Sequence, residues 1–434
     1  MAIRKLEIHG YKSFEKAVWE PGRLNLLVGP NGSGKTNLLQ LLELISNTAK
    51  GKLLETINQS GGMVPLLWNQ QANLLGWTLT LDPVAPIGEF SEIPLNVTLA
   101  LEQVGTGSSY RVREELLWIT PGHAENADGY HPVGNRFAIM GHAPGHQHWC
   151  GFEFGFLPAD KSWDRNELLL TQVAGPTSKP VVSETRHILA SWRVYRDVKV
   201  GDRSAVRSPA ITQHVTGLDL DGSNLPAVLH TLYTSNRDFK QDINDGMKAG
   251  FGEEFEELVF QPAAAQRIQL AVQWHSSKEP HAGQSLSDGT LRFLLLLTIL
   301  ADPDPPALIA IEEPEIGLHP SMFPIIAEYA VAAAERTQVV ITSHSAEFLD
   351  AFTEHEPSVT ICHWEEGRSH LLPLPAARLK EWLDKYRLGQ MFISGELDIL
   401  AAADAAEPDD REKRFADLPP ESTPPPSPAG TPHD

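Results

Sequence analysis

Eight residues near the start, GPNGSGKT (Gly29–Thr36), have the types and spacing that hold phosphate. Gly29, Gly32 and Gly34 free the backbone to curl, so that peptide N–H groups converge on one point. Pro30, Asn31 and Ser33 fill the turn between them. Lys35 can neutralise the outer phosphates, Thr36 offers a hydroxyl to Mg2+, and Asn37 follows on the first turn of a helix. The stretch comes after the apolar run RLNLLVG and before KTNLLQLLELISNT, whose apolar residues recur at helical spacing. Strand, loop and helix in that order place the glycines at a helix N-terminus, where the backbone dipole favours an anion.

Two further apolar runs end in residues that could work on a bound phosphate. LIAIEEPEIGLHP (Leu308–Pro320) reads as a buried strand finishing in Glu312 and Glu313. Acids at the carboxyl tip of a parallel strand lie where open α/β sheets bind ligands. Glu312 would hold Mg2+ through water and Glu313 would polarise an attacking water. VVITSHSAEFLD sets His344 between two serines at the next such tip, within reach of a terminal phosphate or of that water. SLSDGTLRFLLLLTIL adds Ser287 and Gly289 at the start of an apolar helix over 288–301, a second anion-friendly helix tip far downstream of the first.

The elements that must position these groups follow from periodicity. From residue 285 the pattern alternates helix, buried strand, helix, buried strand, which predicts a parallel sheet with covered faces. Between about 75 and 118, WTLTLDP, LNVTLALEQV and SYRVREELLWI predict antiparallel strands. Residues 120–180 show no clear period and read as an irregular insertion. Helices return at SNLPAVLHTLYTS and DFKQDINDGMKAGF, and QRIQLAVQW reads as a strand. The predicted fold class is therefore α/β: a P-loop NTPase with a mixed sheet, an antiparallel β lobe and an inserted helical or irregular segment. The predicted organisation is one head over 1–402, with core segments 1–118 and 265–402 and an insertion at 119–264. A proline-rich acidic tail, 403–434, has too little to bury to fold.

Composition narrows the setting. With 41% hydrophobic and 21% charged residues the chain is of ordinary globular type. No apolar run approaches the ~20 residues that span a bilayer, so no membrane is expected. Two cysteines, Cys150 and Cys362, make no disulfide framework, and a cytoplasmic setting is expected. A net charge of −21 argues against a surface that is basic all over. A local basic run remains, with Arg186, Arg193, Arg196, Lys199, Arg203 and Arg207 among few acids. It reads either as a solvated face or as a contact for DNA or a protein.

Taken together and in this order, the motifs resemble ATP-binding-cassette (ABC) ATPases of the RecF and structural-maintenance-of-chromosomes (SMC) type. GPNGSGKTN resembles their Walker A. LSDGT (Leu286–Thr290) is similar to the cassette signature, LIAIEEPEIGLHP to Walker B and the D-loop (Ile316–His319), and ITSHS to the switch histidine. The resemblance covers roughly 1–50 and 215–400. It implies ATP and Mg2+ as ligands, with Lys35, Glu313 and His344 as catalytic residues and Thr36 and Glu312 at the metal. It implies too that Ser287, Asp288 and Gly289 contact ATP bound by a second copy, so that ATP drives a homodimer. DNA repair or defence against foreign DNA is the implied setting; DNA and a separate effector protein are the candidate partners. Lys12 and Ser13 in GYKSF stand where such heads touch the nucleotide's sugar or base. Gln70 and Gln71 are candidates for the Q-loop glutamine by order alone. Walker B usually ends Asp-Glu, and here Glu312 stands at the aspartate.

Two other groupings could do chemistry. His142, His146, His148 and Cys150 form a zinc-like ligand set with no standard spacing, and a flexible histidine-rich loop is the commoner outcome. Trp192, Arg193, Tyr195 and Arg196 interleave aromatics with arginines as single-strand binders do. A strand with Trp and Tyr facing a core explains the same pattern more simply.

Overall fold

The computed structural model describes residues 2–70, 72–83, 94–105, 109–120, 131–133, 136–142, 149–152, 155–156, 167–173, 180–383 and 386–397. Gln71, His146, His148 and the tail 403–434 lie outside the described residues, as does the side chain of Cys150.

A six-stranded sheet carries the candidate site. Its order is Arg193–Tyr195, Leu308–Glu312, Gln338–Ser343, Leu24–Val28, Ser358–Glu365, Arg368–Pro373. The first five strands are parallel and the last pairs antiparallel with its neighbour. Leu24–Val28 is buried at every position, as is Gln338–Ser343. A strand covered on both faces has no polar side, which is why these runs show no alternation in sequence.

The alternation is there in packing. Leu26, Val28, Ile309, Ile311, Val339 and Ile341 enter one core with helices Asp288–Leu300 and Phe323–Ala334. Leu27, Leu308, Ala310 and Val340 enter another with helices Lys35–Ala49 and Pro180–Ser191. The helix Asp288–Leu300 is buried at ten of its thirteen positions, so it needs no amphipathic stripe.

A second sheet is antiparallel, running Gly155–Phe156, Trp149–Phe152, Arg136–His142, Tyr110–Ile119, Leu95–Gln103, Leu74–Leu81, Ile3–Tyr11, Phe14–Trp19, with His131–Val133 beside Arg136–His142. A small third sheet joins Ala210–Ile211, Arg267–Trp274 and Phe255–Ala263, with His281–Ala282 paired to Arg267–Trp274. The three antiparallel strands expected between 75 and 118 are present, and so are both middle helices, Leu225–Ser235 and Arg237–Phe251.

Two differences from the sequence expectation stand out. Within 120–180 the described residues between 131 and 156 form strands that extend the antiparallel sheet, and Leu169–Val173 forms a short helix, instead of an irregular segment. They are short and carry residues that disguise the period. Gly141, for example, lies where a Cβ would come within 2.6 Å of the Glu115 carbonyl oxygen, so only glycine permits that strand approach. In addition, Arg193–Tyr195 lies inside the stretch expected as insertion but serves as an edge of the parallel sheet, in register with Ile309–Ile311. Three residues are too few to show a period.

The two large sheets are joined by a buried glutamine. Gln338 opens a core strand of the parallel sheet, and its Oε1 accepts from the Ile3 N–H at 2.8 Å. Its Nε2 donates to the carbonyls of Ile3 (3.0 Å) and Gly22 (2.7 Å). Gln338→Leu keeps the volume but removes the side-chain partner of the buried Ile3 N–H and carbonyl, while the Gly22 carbonyl keeps its bond from Asn25 Nδ2 at 2.9 Å. The expected cost is about 2–4 kcal/mol, read as a lower midpoint in urea unfolding with unchanged slope.

Candidate nucleotide site

The glycine loop is shaped by contacts that exclude any side chain. Gly29, Gly32 and Gly34 have φ of 151°, 82° and 112°. A Cβ at Gly29 would meet the Cys362 carbonyl oxygen at 2.3 Å, and one at Gly34 would meet Ser369 Oγ at 2.4 Å, whereas Gly32 faces open space. The loop is thus braced against the hairpin Ser358–Pro373, with its tip residues Pro30, Asn31 and Gly32 exposed. Lys35 folds back across it, Nζ donating to the carbonyls of Gly29 (2.5 Å) and Pro30 (3.0 Å). Burial lowers the Lys35 pKa, and the nearby acids Glu313, Glu312 and Glu315 offset part of that shift. Burial pushes the Cys362 thiol up to about 12, so it stays protonated. Ser33 Oγ is buried with no hydrogen-bond partner in the structure.

The acids and the histidine converge on the same sheet edge. Thr36 Oγ1 donates to Glu312 Oε1. Glu312 Oε2 accepts from Arg196 Nε at 3.2 Å, and Arg196 Nη1 reaches Glu43 Oε2 at 3.0 Å. Glu313 sits at φ 45°, a left-handed conformation that a non-glycine residue holds only when its surroundings fix it. Its N–H donates to Thr342 O (3.1 Å) and Oγ1 (3.2 Å), and its carbonyl accepts from Arg292 Nη2 at 3.1 Å. Glu313 Oε1 and His344 Nδ1 are 2.9 Å apart, which suits an imidazole donating to a carboxylate. A third acid lies behind them. Glu315 is buried, accepts from Ser343 Oγ (2.5 Å) and the His344 N–H (3.4 Å), and has its pKa raised, chiefly by burial. It fixes the turn that presents His344.

The downstream helix tip is capped as expected. Ser287 is the N-cap, its Oγ accepting from the Thr290 N–H at 3.0 Å. Ser287 and Asp288 are exposed and Gly289 is half-exposed. A Cβ on Gly289 would come within 2.8 Å of the Gly317 carbonyl oxygen, so the tip packs on the turn that follows the two acids. Among the described residues, the contacts of this tip run to Thr290, Arg207 and Gly317, not to the glycine loop.

Of the residues foreseen, Lys35, Thr36, Glu312, Glu313 and His344 come together at one edge, and Ser287–Gly289 form a separate exposed tip of the same chain. The Lys12–Ser13 turn lies beside the loop helix, with Ser13 Oγ accepting from Asn37 Nδ2 at 2.8 Å and Lys12 Nζ donating to Gln40. Gln70 is exposed in the turn whose Asn69 N–H donates to the Lys12 carbonyl. Among the described residues no group of three or more His, Cys, Asp or Glu is placed to hold a metal.

The basic run does not form one face. Arg207 is buried, donating to the carbonyls of Val200 (2.8 Å), Leu286 (2.6 Å) and Gly283 (3.2 Å) and pairing with Asp288. Arg196 is inside the site, and Arg186 donates to the Ala49 carbonyl. Trp192 and Tyr195 are core residues, so their rings offer no stacking platform. Arg196, Arg207, Arg292 and Glu315 are the site residues that sequence reading missed. Only Glu315, third acid of EEPE, left a local signal.

A phosphate loop after a buried parallel strand, acids and a histidine on neighbouring tips, and a separate capped helix tip define a P-loop ATPase head of the ABC type. The fold is that of a P-loop NTPase head of the ABC type, and comparison with known proteins bears on that assignment as follows. One family model, described as "AAA domain, putative AbiEii toxin, Type IV TA system", matches residues 180–350, and another, "AAA ATPase domain", matches residues 1–75. An SMC head solved in complex with the C-winged helix domain of ScpA is 11% identical over 88% of this chain and 100% of its own, with TM-score 0.53, and it carries the fold assignment. The SMC head domain from Thermotoga maritima is 12% identical over 86% of this chain and 100% of its own, with TM-score 0.41. An SMC head from Pyrococcus furiosus, bound to the C-terminal domain of ScpA, is 10% identical over 88% and 99%, with TM-score 0.49. No curated protein matches the chain. No helix among the described residues is long and apolar enough to cross a membrane.

Burial decides what each half of the Arg207–Asp288 pair contributes, since their side chains are 6% and 61% exposed. Arg207→Met strands three buried carbonyls and is expected to lower stability by about 2–4 kcal/mol. Asp288→Ala is expected to cost about 1 kcal/mol or less. Urea unfolding of both variants measures the contrast.

Proposed function

We propose that this chain is a Mg2+-dependent ATPase in which two copies share each nucleotide, acting in DNA repair and maintenance or in defence against foreign DNA. The residues at the sheet edge fit magnesium triphosphate. The unpartnered Ser33 hydroxyl and the glycine amides line the loop, Lys35 lies across it, and Thr36 and Glu312 already touch. In this reading Thr36 and Glu312 would hold Mg2+, which would supply positive charge to offset that of the terminal phosphate. Lys35 binds the outer phosphates. Glu313 orients and deprotonates the attacking water, and His344, bonded to its carboxylate, keeps that oxygen aimed. Ser287, Asp288 and Gly289 bind the other copy's ATP with the serine hydroxyl and the helix-tip amides.

One observation carries the shared-site reading. The tip at Ser287–Gly289 is exposed yet makes no hydrogen bond to its own glycine loop among the described residues, while it packs on the turn following Glu313. An anion site on a surface is complete only when something faces it, and a two-fold arrangement of heads makes each tip complete the other's pocket.

A second reading has its own support. The net charge of −21 and the internal pairing of Arg196 and Arg207 leave little basic surface for DNA among the described residues. A slow ATP-switched scaffold that holds an effector protein fits that balance. One of the similar SMC heads was solved bound to a partner protein, the C-winged helix domain of ScpA.

Glu313→Gln keeps the shape of the side chain but removes the base. It is expected to bind Mg·ATP, lose at least about a hundredfold in turnover, and shift from monomer to dimer by light scattering. A variant that stays monomeric in saturating Mg·ATP would falsify the shared site. Phosphate release with and without DNA separates the settings: stimulation supports the DNA reading, and a flat slow rate in a dimer supports the scaffold.

A further inference from the structure

The arginine between the two acids is not explained by any role given so far. Arg196 directly follows the edge strand Arg193–Tyr195, whose Tyr195 is in register with Ile311. That register sets Arg196 beside Glu312 at the strand tips. Its side chain is 24% exposed and that of Glu312 is 17% exposed, so the pair is largely shielded from solvent. The other arm of the guanidinium reaches Glu43, which lies on the loop helix two turns beyond Thr36. Glu312 is then fully engaged, one oxygen by the Thr36 hydroxyl and the other by Arg196. Thr36 and Glu312 are the two groups that the proposed function assigns to Mg2+.

We propose that Arg196 is a built-in placeholder for the divalent cation: it neutralises Glu312 in the nucleotide-free protein and leaves that carboxylate for Glu43 when Mg·ATP enters. This rests on the ATPase reading of the site. The physical argument is charge and reach. A guanidinium on Oε2 repels a dication approaching Oε1 of the same carboxylate. The Thr36 hydroxyl can keep its bond to Glu312 meanwhile, because donating its proton leaves both oxygen lone pairs free for the ion. Arg196 need not become an unpaired buried charge when it lets go, since Glu43 already holds its second arm. The longer acid at position 312 suits this device, its extra methylene letting one carboxylate meet the Thr36 hydroxyl and Arg196 together. Arg196 is therefore a positioning residue that sets how much Mg2+ the site requires.

The test reads Mg2+ requirement apart from turnover. Binding of a fluorescent ATP analogue is titrated with Mg2+ in wild type, Arg196→Met and Glu43→Gln. Arg196→Met is expected to lower the half-saturating Mg2+ concentration by about tenfold, with nucleotide affinity at saturating Mg2+ within about twofold. Glu43→Gln removes the parking place and is expected to raise the Mg2+ requirement. Melting with Mg2+ alone supplies a second readout: Arg196→Met melts lower than wild type without the ion, and Mg2+ raises its Tm by more. Equal Mg2+ responses in the two proteins overturn the proposal. So does a loss of analogue affinity at saturating Mg2+, which would make Arg196 a phosphate ligand. Failure of the ATPase reading shows differently, as a Lys35→Ala variant that binds the analogue as wild type does. If Arg196→Met does not fold, Glu43→Gln still decides the matter by the direction of its shift.

Discussion

Parallel pairing of three neighbouring strands is the constraint on which the rest depends. Val28 stands opposite Ser343, and Glu312 opposite Thr342. With those registers fixed, the glycine loop, the acid pair and the histidine all leave the sheet at the same edge, although they are separated by up to 315 positions in sequence. The peptide N–H of Glu313 is tied to Thr342 twice, so the left-handed turn at Glu313 is itself a product of that register. Nothing in the loop or the acids alone would bring them within hydrogen-bonding distance. The sheet does so by holding its strands in step.

The polar groups that look structural and those that look chemical are continuous. Glu315 supports the turn presenting His344, His344 meets Glu313, and the Glu313 carbonyl is held by Arg292 on the helix whose tip is Ser287–Gly289. On the other side Thr36, Glu312, Arg196 and Glu43 form a second chain of contacts. Each buried charge in these chains has at least one partner, as the cost of an unpaired charge in a shielded site requires.

What could be read from sequence was whatever announced itself locally. The loop, Glu312, Glu313 and His344 each end an apolar run with a polar tip, and a fully buried strand has no other way to look. Ser287 and Gly289 are legible because an N-cap precedes a helix that is apolar nearly throughout. Arg196 and Arg207 were not legible in their roles, because a run of basic residues gives the same count whether its members face water or the interior. The partners of Arg207 at Leu286 and Asp288 lie about 80 positions away, and no local pattern encodes such a pairing. The edge strand Arg193–Tyr195 escaped for a simpler reason: three residues cannot show a period of two. The short strands between 131 and 156 escaped because all but one have two to four residues, and the longest carries Gly141 where a neighbouring strand crowds.

The division of the central sheet between two cores sets how this chain can tolerate insertions and deletions. Along Leu24–Val28 and its two neighbours, successive side chains enter opposite cores. Removing one residue from any of these strands would send every later side chain in it to the wrong side and draw the attached loop back by about 3.3 Å. A one-residue deletion inside any of the three strands is therefore expected to be far more disruptive than one in the segments that connect them.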